Sequence, residues 1–131
     1  GTVAVARRLF EEARRRELDQ IGQAHLGAVD IALTRARSVL AMAAADVDGG
    51  RAEGTHGSAL ALRSRAVVAR AADEVLRRVD RALGPGPLAL EEEHARRVAD
   101  LHLYIRQEHA ERDEAALGAA LASPAGEQPP W

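Results

Sequence analysis

Apolar positions recur at three- and four-residue intervals along most of the chain, the period of an amphipathic helix. In a first block, from Val3 to about Val47, the stripe reads Leu18, Ile21, His25, Val29, Ala32, Ala36, Val39, Ala43 and Val47. Asp48-Gly49-Gly50 stops it, because glycine reaches the left-handed conformation that closes a helix. Forty-odd residues is long for one globular helix, so a break at Gly22 or Gly27 is allowed. A helical glycine costs roughly 1 kcal/mol against alanine, and two of them suggest close helix–helix approach.

Residues 49–58, GGRAEGTHGS, read as a glycine-rich loop. Ser58 is the N-cap expected for a second helix over Ala59–Leu83, with its stripe at Leu62, Ala66, Ala69, Ala72, Leu76, Val79 and Leu83. Val68 and Val75 widen that stripe, as a helix with two neighbours requires. Gly84-Pro85-Gly86-Pro87 ends it. The third block starts near Leu88, with Glu91, Glu92 and Glu93 in a first turn that favours acids. Val98, Leu101, Ile105 and His109 carry its stripe, and Ala116, Leu117, Ala120 and Leu121 resume it. The period leaves open whether one helix or two covers 89–122. The proline-bearing tail 123–131 is expected to be disordered.

The expectation is an all-α fold: an antiparallel up-down bundle of three to four helices over residues 1–122. Composition agrees. Of 131 residues 29 are alanine and 15 leucine, while valine and isoleucine add only 13, which excludes an all-β fold. There is no cysteine, so disulfide scaffolds and thiolate metal sites are excluded. No apolar run is long enough for a membrane span. No secretory leader is visible, and the default location is the cytoplasm. All 18 basic residues are arginine, which points to a GC-rich, bacterial coding sequence. Twenty acids leave a net charge of −2, unlike a generic nucleic-acid binder. The chain opens at Gly1 and its single methionine is Met42, as expected of a processed or engineered product or a piece of a longer chain.

Three groups of side chains invite chemistry. Glu53-x-x-His56 and Glu91-x-x-His94 have the spacing of di-iron four-helix bundles, which need two such pairs on facing helices and two further glutamates. Glu53 and His56 fall in the loop and Glu91 and His94 at an exposed helix start, so capping and solvated charge account for both. No metal is expected. His102 and His109 share a helix face, but Arg106 between them would repel a cation. His25 and His109 read as histidines at the edge of a core. Arg7, Arg8, Arg14, Arg15 and Arg16 could bind phosphates, although Glu11, Glu12 and Glu17 interleave and i,i+4 pairing explains the pattern.

The run from Glu93 to Leu121, EHARRVADLHLYIRQEHAERDEAALGAAL, resembles the last helices of the acyl-CoA dehydrogenase family. The order of the blocks Leu18–Gly50, Ser58–Gly84 and Glu91–Leu121 is similar too. The resemblance implies the C-terminal helical-bundle domain of these flavoenzymes, which pass a β-hydride to FAD while a carboxylate takes the α-proton. In many members that base is a glutamate following an Arg-Asp pair. Here Glu108 lies eight residues after Asp100, the matching offset, and Tyr104 falls where many members have an aromatic. Glu108 is therefore the implied catalytic base. Ala99 stands in place of the paired arginine, Gln107 in place of the tyrosine, and His109-Ala110 in place of Gly-Thr. The chain lacks the other domains that enclose FAD and thioester. It is expected to be inactive alone and to bind FAD only in a larger assembly, as one wall of a FAD/acyl-CoA site. The expected partner is a larger acyl-CoA dehydrogenase-like chain or further copies of itself. The alternative is a non-catalytic interaction or oligomerisation module. Neither nucleic acid nor membrane is an expected partner.

Overall fold

The computed structural model describes residues 1–107 and 109–122. Six helices account for most of them: α1 Thr2–Arg15, α2 Gln20–Asp48, α3 Gly54–Leu83, α4 Gly86–Leu90, α5 Glu92–Arg106 and α6 Ala110–Leu121. No strand occurs among the described residues. The all-α expectation holds, with more helices than the three or four read from the stripes. The tail 123–131 lies outside the described residues.

The extra helices have local causes. The first block breaks at Arg16–Asp19, ahead of either glycine. Arg16 is extended, at φ −144° and ψ 154°. The Asp19 carboxylate accepts the Gly22 N–H at 2.7 Å, and the Gln23 side chain donates to the Leu18 carbonyl at 3.0 Å. These bonds satisfy groups that a helix start leaves open. A Cβ on Gly22 would lie 3.1 Å from Leu18 Cβ and 3.2 Å from Asp19 Oδ1. That glycine makes room for the cap and not for a neighbouring helix, and Gly27 has nothing within 4 Å of its would-be Cβ. At the other end of α2, Gly50 takes φ +68° and closes the helix as the Asp-Gly-Gly triplet predicts.

The second helix begins at Gly54, five residues before the expected start. Ser58 is inside it, its hydroxyl donating back to the Gly54 carbonyl at 3.1 Å, so it does not act as a cap. Gly84, at φ +68°, ends α3 where the Gly-Pro-Gly-Pro run predicts, and the five-residue α4 follows. Past α4, two helices, α5 and α6, cover the rest of the third block. Between Ile105 and Ala116 the sequence is polar but for Ala110 and Ala115, so no apolar face holds a continuous helix to a core.

The residues group into two compact units, one of Gly1–Arg35 with Ala69–Glu108, the other of Ala36–Val68 with His109 onward. The first owns the large buried side chains: Leu9, Leu76, Val5, Val75 and Val79 are essentially fully enclosed. Leu18, Val29, Val98 and Leu101 are buried in the same unit. Within it α5 packs on both α1 and α4, and a Cβ on Gly1 would sit 3.3 Å from Leu101 Cδ1. The second unit buries Ala36, Ala59, Leu60 and Ala66. Its core is mostly methyl groups, so it buries far less apolar area per residue. Two members of the first predicted stripe, Ile21 and Val47, are exposed.

Candidate functional site

In the first unit, α1 and α2 enclose an apolar groove of about 240 Å³. Each helix contributes four residues at the same spacing, i, i+3, i+4, i+7. These are Val3, Ala6, Arg7 and Phe10 from α1, and Leu26, Val29, Asp30 and Leu33 from α2. Ala6 and Val29 are buried and form the floor, Leu26 and Leu33 are half-buried, and Val3 and Phe10 stand out into solvent. Phe10 is 52% exposed, and its outer ring face carries the Arg14 guanidinium 5.9 Å from its centre. Arg7 and Asp30 are exposed and make no ion pair among the described residues. The groove is smaller than the 300–1,000 Å³ typical of small-molecule pockets.

A second cleft, of about 270 Å³, is lined by the charged Arg8, Glu12, Arg16 and Glu91 together with the apolar Leu83, Pro87 and Leu90. Arg8 donates from Nε and an Nη to the two oxygens of Glu91, at 2.8 and 2.9 Å, and from its other Nη to Glu12 at 2.9 Å. Arg16 donates to the second oxygen of Glu12 at 2.5 Å. The bidentate bond to Glu91 raises the Arg8 pKa, and Arg8 lowers that of Glu91 in return. Glu12 is lowered by Arg16 first and Arg8 second. This network fastens α1 to the start of α5.

That geometry corrects the reading of Glu91 and His94. Both Glu91 oxygens are engaged by Arg8, and His94 is only 4% exposed, not at an open helix start. Burial lowers the His94 pKa, and its Nδ1 has no hydrogen-bond partner among the described residues. Of the other candidates, His56 faces Asp46, Nε2 to Oδ2 at 3.3 Å, beside an Arg51–Asp46 pair at 2.8 Å. Asp46 is lowered mainly by Arg51, then by His56. The cluster ties the end of α2 to the start of α3. Glu53 is exposed and outside this cluster. His25 is a buried core-edge histidine, as read, with Arg78 Nη1 3.5 Å from its Nδ1. His102 is exposed, and His109 is exposed at the start of α6 and does not continue an apolar stripe. No group of three His, Asp or Glu able to hold a metal ion occurs among the described residues.

Of the arginine cluster, Arg8 and Arg16 are spent on glutamates and Arg14 lies over Phe10. Glu108 lies outside the described residues. Asp100 and Tyr104, which carry the resemblance around it, are exposed on α5. The groove was the feature the stripes missed. Its signal was present in Val3-x-x-Ala6-Arg7-x-x-Phe10 and Leu26-x-x-Val29-Asp30-x-x-Leu33, two copies of one spacing on adjacent helices. No helix of the described residues is long and apolar enough to cross a membrane.

No protein-family profile matches this chain, and no curated protein or solved structure matches it.

Proposed function

We propose that this chain is a non-catalytic helical interaction module that self-associates through apolar helix surfaces. The observation that supports this best is the α1–α2 groove, with both walls apolar at helical spacing and Val3 and Phe10 left in solvent. Such a groove is the receptor half of helix-in-groove recognition, in which anchors at i, i+3, i+4 and i+7 seat between two helices. Sedimentation velocity over a wide concentration range tests it. A defined homo-oligomer, colourless and unchanged in helicity on adding FAD, is expected. A bare monomer at every concentration would overturn the reading.

A second reading follows the resemblance: a bundle domain or subunit of an acyl-CoA dehydrogenase-like flavoenzyme, with Glu108 as proton acceptor. The end of α5 at Arg106 and the start of α6 at Ala110 favour it, because the family carries its base at such a break. Gentle purification from the native host distinguishes the two. A yellow complex several times the chain's mass, inactivated by Glu108→Gln, would support the flavoenzyme; a colourless homo-oligomer would not.

A further inference from the structure

The two walls of the groove share more than apolar character. Val3-Ala6-Arg7-Phe10 and Leu26-Val29-Asp30-Leu33 have the same spacing, with the charged residue third in each. The two charges are opposite in sign. Only residues 16–19 connect α1 to α2, a connection of the length that joins antiparallel helix hairpins, and both helices line the groove over seven residues or more. Matching levels then pair position 3 with 33, 7 with 30, and 10 with 26 across the groove.

Resting on the interaction-module reading, we infer that the groove is covered by the same groove of a second copy, in a two-fold dimer. A two-fold axis along the groove lays α1 of one copy over α2 of the other, antiparallel, and repeats the contact on the other side. Every residue i that meets j is matched by j meeting i, as an isologous interface requires. Arg7 of each copy then comes opposite Asp30 of its partner at the same level, giving two ion pairs. Phe10 and Val3 of each copy come over the partner's Leu26 and Leu33, and the four helices form an antiparallel bundle. Charge complementarity selects this occupant. A generic apolar helix would leave one of two opposite charges without a partner, whereas a second copy supplies both partners with no further chemistry.

Charge reversal tests the pairing. Arg7→Glu puts two acids against each other at both contacts, and Asp30→Arg puts two arginines there. Each variant alone should self-associate about tenfold more weakly than wild type or worse, since like charges across an interface are strongly disfavoured. Mixed one to one, the variants should form a heterodimer within a few-fold of wild-type affinity. One of its two contacts joins the introduced acid to the introduced arginine, and the other keeps the native Arg7–Asp30 pair. The defects should shrink in high salt. Both positions are exposed and make no ion pair among the described residues, so circular dichroism should show unchanged helicity. An oligomer indifferent to both reversals, or singles that mixing does not rescue, would overturn the two-fold groove while leaving self-association by another face intact. A monomeric wild type would overturn the module itself and leave the groove to a different polypeptide.

Discussion

Leu9 and Phe10 are adjacent, yet the structure gives them opposite duties. Leu9 is 0% exposed in the core of the first unit, while Phe10 is half in water on the groove. Leu9→Ala removes three carbons, about 2 kcal/mol of transfer free energy at ~0.8 kcal/mol each. The other enclosed side chains of that unit, Leu76, Val75 and Val79, are held on α3, so the core does not close the gap fully. The residual cavity brings the loss to about 3 kcal/mol, within the range for buried leucines. Phe10→Ala gives up only the buried half of a ring, about 1 kcal/mol for the single chain. Its weak contact with Arg14 adds little. Urea unfolding of both variants, at a concentration low enough to keep copies apart, measures the difference. The midpoint should fall about three times as far for Leu9→Ala, with unchanged slopes. Self-association should rank the other way, with Phe10→Ala the more damaging per folded molecule. Equal losses, or a larger stability loss for Phe10→Ala, would refute the assignment of core and groove to alternate faces of α1.

Other outcomes follow from the same geometry. Asp19→Ala should cost about 1 kcal/mol and fray the start of α2, visible as faster amide exchange at Gly22 and Gln23. Gly84→Ala should cost about 1–2 kcal/mol in thermal unfolding, because φ +68° strains a side chain although nothing blocks the space. Burial holds the folded His94 pKa below the usual 6.5. The unfolded chain therefore binds a proton first, and stability should be full above pH 6.5 and fall as pH drops through it. His94→Gln should flatten that part of a stability–pH curve. Glu91 and Glu12 are also depressed, so their contribution persists above the carboxylate range and is lost only below about pH 4.5. Glu91→Gln should remove part of that later loss.

The helical period and the glycine-proline stops were legible because they depend on many positions at once. Asp48-Gly49-Gly50 and Gly84-Pro85 ended helices where their chemistry requires. The break at Arg16–Asp19 was not legible, because a single capping aspartate interrupts a run of strong helix formers. Ser58 misled for a related reason: its hydroxyl can satisfy an N–H at a helix start or return to a carbonyl within the helix, and here it returns. His94 looked solvated from its acidic neighbours, but Arg8 draws Glu91 away and α5 turns the imidazole inward. No local pattern could report that, since Arg8 and Glu91 are far apart in sequence. The groove escaped because its half-sites lie on separate helices, each ordinary until the turn at residues 16–19 brings them together.

The methyl-lined core of the second unit has a consequence for how its sequence can drift. In the first unit, the harmful changes are those that shrink Leu9, Leu76 or Val79, because they open space. At Ala36, Ala59 and Ala66 the direction is reversed. Alanine has almost nothing to lose but backbone stiffness, so replacement by serine or glycine should cost about 1 kcal/mol or less. Valine or leucine adds bulk at a buried position and should cost about 1–3 kcal/mol through displaced neighbours. The same chain therefore carries two opposite size rules. Leu9, Leu76 and Val79 resist becoming smaller, whereas Ala36, Ala59 and Ala66 resist becoming larger, so the kinds of substitution that survive at the two sets of positions should be mirror images.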